Sequence, residues 1–515
     1  MHGKYANFSK CVSTSQTCSA TLKNWWDLVT VEGRKRGYHV KPSKSWLIVK
    51  DESKLSEAET IFRDSPLKIT TAGKRHLGAA LGTNDYKTSY MTEKVDEWSV
   101  RMKKLSEMAR SQPHAAYAAY IHGEQHKYTY FLRTLHNISD LLEPLDSIIN
   151  NELIPALFGT NISSNDREIL ALPIKDGGLG LRIWQGEADS SYETSRKVTA
   201  PLQLHIVNQV IDLPPATEIA EARNTAVTAM KQKRANNTNI VIEQQSNETK
   251  RNLEQLSETG ASSWLGAFPL KEQGFNLNKS EFTDAVNLRY NKPLRNLPSK
   301  CPCGKPYDLT HALNCTKGGF VTMRHDWVRD FEAKLLRQAG CKDVQTEPPL
   351  QSTNGFTFRS SANTEEGARL DVRAKGFWRR SQNAFFDVHI TNVDSESYKN
   401  KKIQSVLREK ENGKKRQYNR RVMEIEHSTF TPIVLSVKGA MGRECQIYHK
   451  ALAEKIAEKT GERYEEVTRL IRIKLSFLVL KGALLCLRGS RSIYNNDNLS
   501  NCQDFRYNLN ELSLG

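Results

Sequence analysis

The sequence predicts an α+β protein with three parts: a helical N-terminal region, a small cysteine–histidine knuckle and a C-terminal α/β domain. Three observations predict it. Residues 92–156 carry apolar side chains at helical spacings. Three cysteines and a histidine fall within fifteen residues at 301–315. Two segments, 368–374 and 384–393, alternate apolar and polar residues as strands do.

The chain has 515 residues, enough for two to four domains. Apolar residues make up 38% and charged residues 26%, so packed cores are available in a polar chain. With 75 Lys and Arg against 58 Asp and Glu, the net charge is +17. Such a balance favours polyanionic partners, nucleic acid before an acidic membrane surface. Nine cysteines, three of them clustered, do not suggest a secreted disulfide framework; they suit a reducing compartment and a local metal site. The first residues contain no apolar core of a signal peptide. The most apolar late stretch, Leu475–Leu487, is interrupted by Lys481 and flanked by Arg472, Lys474 and Arg488. It is too short and too charged to span a bilayer, so a buried helix is expected and no membrane partner.

Residues 1–20 read as irregular. A helix is expected over Thr21–Glu32, a strand over Ser45–Lys50, a helix over Ser53–Asp64 and a strand pair around Ile69 and His76, punctuated by Gly73, Gly78 and Gly82. From Thr92, Val95, Trp98, Met102 and Leu105 mark an amphipathic helix. Pro113 starts a second over 113–136, and a third covers 141–156. The segment 171–182, with Gly177, Gly178 and Gly180, reads as strand or turn. Residues 215–260 are polar and poor in aromatics, a linker or polar helix at a domain boundary.

Cys301, Cys303, His311 and Cys315 supply three thiolates and an imidazole, a complete tetrahedral set for structural Zn²⁺. The Cys-Pro-Cys turn with Gly304 offers both sulfurs to one ion, and four-residue spacing puts His311 and Cys315 on one helical face. Free thiols beside a core histidine is the competing reading.

Further on, Leu370 and Val372 are expected to face one way, with Arg369, Asp371 and Arg373 opposite. Phe386, Val388 and Ile390 share a face, leaving Asp387 and His389 on the other. If the strands pair, Asp371 and Asp387 meet, and two close carboxylates invite Mg²⁺. Such an ion polarises a phosphodiester and activates water. Lys414, Lys415 and Tyr418 are candidates for the accompanying basic helix, and Lys415 and Tyr418 share a helical face. Edge-strand aspartates facing water are the competing reading. Upstream, a helix from Met323 to Leu336 carries Arg324, His325 and Arg329, which hold phosphates or merely solvate the helix. Glu347 reads as a loop charge unless it reaches the aspartates.

Taken together, the order CPCG, HALNC, GGF, RHD, strand aspartate, strand aspartate, then Lys and Tyr on a helix resembles the restriction-like endonuclease of non-LTR retrotransposons, a PD-(D/E)xK nuclease behind a zinc knuckle. The likeness covers about 262–492. It implies Zn²⁺ on Cys301, Cys303, His311 and Cys315, and catalytic Mg²⁺ on Asp371 and Asp387. The sequence departs from the family pattern at Leu370, where Pro is frequent, and at His389, where the wider class has Lys. Lys415, or Lys414, then takes that role from the following helix, with Tyr418 beside it. The first 215 residues resemble retroelement reverse transcriptase. KPSKSWLIVK, with Lys44, matches the segment after the polymerase site; TTAGKRHLGAALG, with Lys74 and Arg75, matches the primer-grip hairpin; the helices ending in LPIKDGGLGL match the thumb. No Asp-Asp occurs anywhere in the chain, so polymerase activity is not expected and the resemblance is to a truncated element product.

The expected organisation is therefore 1–20 irregular, 21–90 palm end and primer-grip-like hairpin, 91–214 thumb-like helices, 215–260 linker, 261–320 zinc knuckle, 321–492 nuclease and 493–515 tail. The implied activity is nicking of DNA for target-primed reverse transcription in the nucleus, with DNA as partner and retroelement RNA as a second. Nucleic-acid contacts are expected from Arg324, His325, Arg329, Lys44, Lys74 and Arg75. The competing function is a non-catalytic nucleic-acid-binding remnant.

Overall fold

In the computed structural model, residues 19–491 are described, save 209 and 211. The expectations for most of 1–20 and for the 493–515 tail lie outside them. The protein is mixed α+β and mainly helical, with three small sheets among the described residues. It divides into two compact units, and the chain passes between them more than once. Of the described residues, unit 1 holds those up to Ser106, Tyr120–Leu153 and Arg182–Asn239; unit 2 holds Glu107–Ala119, Ile154–Leu181 and those from Ile240 on. No helix among the described residues is long and apolar enough to cross a membrane.

The first described helix of unit 1 is Ser19–Lys35. Strand β1 (Trp46–Ile48) then pairs in parallel with β2 (Lys68–Thr70), and β3 (Gly73–His76) forms a hairpin with β4 (Ala79–Gly82). The expected pairing of the Ile69 and His76 strands is thus corrected: each has another partner. The reason lies in the glycines. Gly73 and Gly82 face each other at the open end of the hairpin, and a Cβ on Gly82 would stand 2.2 Å from the Ala72 carbonyl. Only glycines permit that approach, and both have positive φ. The hairpin tip is pinned by tyrosines: Tyr130 donates to the Leu77 carbonyl at 2.6 Å and Tyr90 to that of Gly78 at 2.8 Å.

The helix Asn84–Ala109 starts eight residues before Thr92, and 113–134 is helical throughout with a wide turn at Tyr120–Glu124. Trp98, Tyr128 and Trp184 form an aromatic core in unit 1, their centroids 4.7 and 5.0 Å apart in sequence. The segment 215–260 holds two helices, Ala216–Glu243 and Asn247–Ser257, and so is not an unstructured linker.

Unit 2 is built on one four-stranded sheet in the order β5 (Lys342–Thr346), β6 (Val372–Lys375), β7 (Asn383–Thr391), β8 (Thr429–Ser436). The first three are antiparallel; β8 runs parallel to β7 after a crossover through the helix Ile403–Glu424. A parallel neighbour demands such a crossover. One sheet face, with Val372, Phe386, Val388 and Ile433, packs on the helices Phe320–Gln338, Arg443–Thr460 and Tyr464–Arg488. On the other, Phe385, Phe430 and Val434 meet Val406, Leu407 and Val422 of the crossover helix. Pro432 sits in β8, tolerable because β8 is the sheet edge. Leu475–Leu487 forms the buried half of the Tyr464–Arg488 helix, as expected.

Candidate functional site

The cysteine–histidine cluster is assembled by local structure alone. Cys301 and Cys303 lie on a tight turn: the Gly304 N–H donates to the Cys301 carbonyl at 2.8 Å, and Gly304 takes φ +90°. The Cys301 N–H closes the turn on Lys305, and the Lys305 N–H lowers the Cys303 thiol pKa by donating to its sulfur. His311 lies in the helix Leu309–Asn314, N-capped by Asp308, and Cys315 follows its last turn. One donor atom from each of the four residues lies within 4.8 Å of the others. The Cys301 and Cys315 sulfurs are 3.8 Å apart, and the Cys303 sulfur is 3.3 Å from His311 Nε2. A tetrahedron with Zn–S bonds of about 2.3 Å needs sulfurs about 3.8 Å apart. The four residues can hold a metal ion, and the donor set suits structural zinc. The knuckle is tied to the end of the Tyr464–Arg488 helix: Tyr307 donates to the Leu487 carbonyl at 2.8 Å and Arg491 to that of Ala312 at 3.1 Å.

The two aspartates come together only through the sheet. β6 and β7 are neighbours, and their pairing ends with Val372 opposite Phe386, one residue short of Asp371 and Asp387. Asp371 sits in a bend before β6, where its carbonyl accepts from the Glu347 N–H at 2.8 Å. That bend corrects the expected alternation: Leu370 packs with Phe385 and Val422, while Val372 packs against the opposite sheet face. The Asp371 carboxylate accepts from the Val388 N–H at 2.6 Å and meets His325 Nε2 at 3.1 Å. Burial disfavours a charged His325, but the hydrogen bond and charge of Asp371, helped by Asp326, push its pKa up to about 9.

Asp387 is 5% exposed. Lys414 Nζ is 2.7 Å from its Oδ2, a close ion pair that engages this buried oxygen. Burial pushes the Asp387 pKa up to about 6; Lys414 opposes the rise and the Asp371 charge adds to it. His389 goes the other way, down to about 4, through burial and then the cations Lys414, Lys410, His325 and Arg324. Two aspartates thus face four cations, and the charge around them is dense.

Of the two candidate lysines, the fold directs Lys414 to Asp387; Lys415 pairs with Glu444 at 2.8 Å. Tyr418 accepts from Asn363 at 3.1 Å, and Lys414 lies 5.8 Å from its ring centroid. Glu347 turns to Arg329, at 2.5 Å, and Arg369, at 3.8 Å. Arg329 also pairs with Asp326 and Asp330. Arg324 is 2% exposed and lies against Gly482, whose absent side chain makes room for it. In unit 1, Lys74 stacks on Trp46 at 4.2 Å, while Lys44 and Arg75 are exposed. Sequence reasoning missed the positioning roles of His325 toward Asp371 and of Asn363 toward Tyr418. Asn363 carries no sequence signal, being 55 residues from its partner.

Compared with models of known protein families and with curated proteins, the chain gives no match.

Proposed function

We propose that unit 2 carries a Mg²⁺-dependent DNA endonuclease of the PD-(D/E)xK kind, in a protein derived from a non-LTR retrotransposon. The observation that carries the reading is the convergence of Asp371 from the bend before β6, Asp387 from β7 and Lys414 from the crossover helix. Asp387 is a buried carboxylate beside a second one, Asp371, and such a pair suits a cation. Asp371 and Asp387 hold the ion, which when bound polarises a phosphodiester and lowers the pKa of water. Lys414 keeps Asp387 ionised and offers its ammonium to charge developing on phosphate oxygens. His325 fixes the Asp371 carboxylate through a short contact and its own positive charge. The zinc knuckle and the net charge of +17 serve to hold DNA, with element RNA as a second partner, in the nucleus. No Asp-Asp pair exists to support polymerisation.

Supercoiled plasmid incubated with the full chain tests this. Mg²⁺-dependent nicking is expected, lost on chelation and in Asp371→Ala and Asp387→Ala while DNA binding persists. Equal nicking by those variants removes the assignment.

A second reading has one observation in its favour. Among the described residues, the cysteine–histidine set is the only group of three or more metal-binding side chains with donor atoms within 4.8 Å of one another. Asp371 and Asp387 are each engaged by a protein cation instead. A non-catalytic nucleic-acid binder would show salt-sensitive DNA binding without nicking by the wild-type chain.

A further inference from the structure

Unit 1 contains a cleft of about 410 Å³ among three helices. That volume lies within the range of small-ligand sites, roughly 300–1,000 Å³. Each helix turns a single face to it. His126, Thr129 and Arg133 come from Gln125–Thr134, at spacings of three and four. Trp184–Val207 contributes hydroxyls, among them Ser191 and Ser195. Arg223, Val227, Met230 and Arg234 come from Ala216–Glu243, again at spacings of four, three and four. Such spacings are those of one helical face. This gives the Ala216–Glu243 helix, which buries only Ala226 against the unit, a reason for its otherwise polar sequence.

Four arginines line the cleft: Arg133, Arg182, Arg223 and Arg234. No carboxylate does. Arg234 is ion-paired with Glu187, and Arg182 lies over the Trp184 ring at 5.8 Å. Among the described residues, no ion pair or hydrogen bond engages the guanidinium of Arg133 or Arg223. Arg133 and Arg223 leave the cleft positive, and guanidinium forks match phosphate oxygens two at a time. Ser191 and Ser195 add hydroxyls that no acceptor among the described residues takes. Apolar side chains, among them Val198, Val227 and Met230, line the cleft beside the guanidinium groups and lower the local dielectric.

We infer that this cleft binds an oligophosphate, an anion with two or more neighbouring phosphate groups, held by Arg133 and Arg223 and bordered by Arg182 and Arg234. Two sources share that chemistry: a soluble oligophosphate and consecutive phosphates of a nucleic-acid strand. The inference rests on unit 1 alone and is independent of the nuclease reading.

Calorimetric titration of the full chain with tripolyphosphate tests it, alongside a competing short oligonucleotide. The wild type is expected to bind tripolyphosphate, more weakly as salt rises. The Arg133→Ala/Arg223→Ala variant is expected to bind at least tenfold more weakly at an unchanged melting temperature, because neither guanidinium holds the fold together. Ser191→Asp, which places a negative charge inside the cleft, is expected to weaken binding as well. If the oligonucleotide displaces tripolyphosphate in the wild type, the source is a nucleic-acid strand; if it does not, the source is a soluble anion. Either outcome supports the site. Absence of tripolyphosphate binding, or equal binding by the double arginine variant, overturns it. Plasmid nicking by the same variant reports separately on unit 2, so the failure of one idea is distinguishable from failure of the other.

Discussion

The knuckle and the aspartate site lie in the same unit but are built by opposite means. Cys301, Cys303, His311 and Cys315 are brought together by one turn and one short helix within fifteen residues. Asp371, Asp387 and Lys414 need a bend, two paired strands and a crossover helix. The first cluster has geometry that a metal ion completes. The second is held by the packed sheet and neutralised by protein cations, Lys414 on Asp387 and His325 on Asp371. A site gathered by one turn and one short helix and a site held by a packed sheet respond differently to mutation, and that difference can be measured.

The largest effect is expected at the knuckle. Structural zinc in small modules contributes on the order of 10 kcal/mol of apparent binding free energy, which is also folding free energy for the residues it gathers. The purified chain is expected to hold one equivalent of zinc by elemental analysis. Cys301→Ser/Cys315→Ser should lose it and melt several degrees lower. Full zinc retention in that variant would remove the metal assignment. Asp371→Ala comes next, with plasmid nicking reduced about 10³-fold, or about 4 kcal/mol at 1.36 kcal/mol per tenfold. Its melting temperature should fall less than that of the cysteine variant, because the sheet core around Val372 and Phe386 stays filled. A larger loss of stability at Asp371 than at the knuckle would invert the comparison.

The same contrast explains what was legible in the sequence. Ligands close in sequence announce themselves by spacing, so the knuckle could be read directly. The aspartates were found by strand alternation, yet the alternation misplaced Leu370, because the bend at Asp371 is held by a tertiary hydrogen bond from Glu347. The choice between Lys414 and Lys415 was open, since adjacent residues on a helix differ by about 100° and only the sheet says which faces inward. Strand β8 went unread: its TFTPIVLS sequence is an apolar run containing proline, with no period-two pattern. The 24-residue helix from Trp184 also went unread. Its N-terminus has no local cap; the Trp184 and Gln185 N–H groups are satisfied by Asp146, 38 and 39 residues away. Caps supplied from a distance leave no mark beside the helix they start.

The lysine pair gives a smaller and sharper test. Lys414→Ala removes the cation nearest Asp387 and is expected to lower nicking about 10²-fold, within the usual range for one charge-stabilising donor. Lys415→Ala frees only an exposed pair with Glu444 and should stay within about threefold, as surface ion pairs contribute little. The reverse order would return the role to Lys415 and show that the helix turns when substrate binds.

The smallest effect is a displacement along the pH axis. Asp387 must be ionised to hold a cation, and burial has pushed its pKa up to about 6. Nicking is therefore expected to rise with pH through about 6, and at pH 5 to reach only about one tenth of its plateau, one pKa unit being a factor of ten. Folding responds with the opposite sign. The folded chain keeps a proton on Asp387 that the unfolded chain releases near 3.8, so the contribution of this group to stability is full below pH 3.8 and lost as pH rises through 6. Lys414 lowers the Asp387 pKa, so Lys414→Met should move the midpoint of the residual activity upward, by roughly one unit at the order of magnitude of a buried charge pair. A pH series of plasmid nicking by the two proteins measures both midpoints. Coincident midpoints would mean that Lys414 does not act through Asp387, and that the scaffold-made site is assembled differently once DNA and cation are bound.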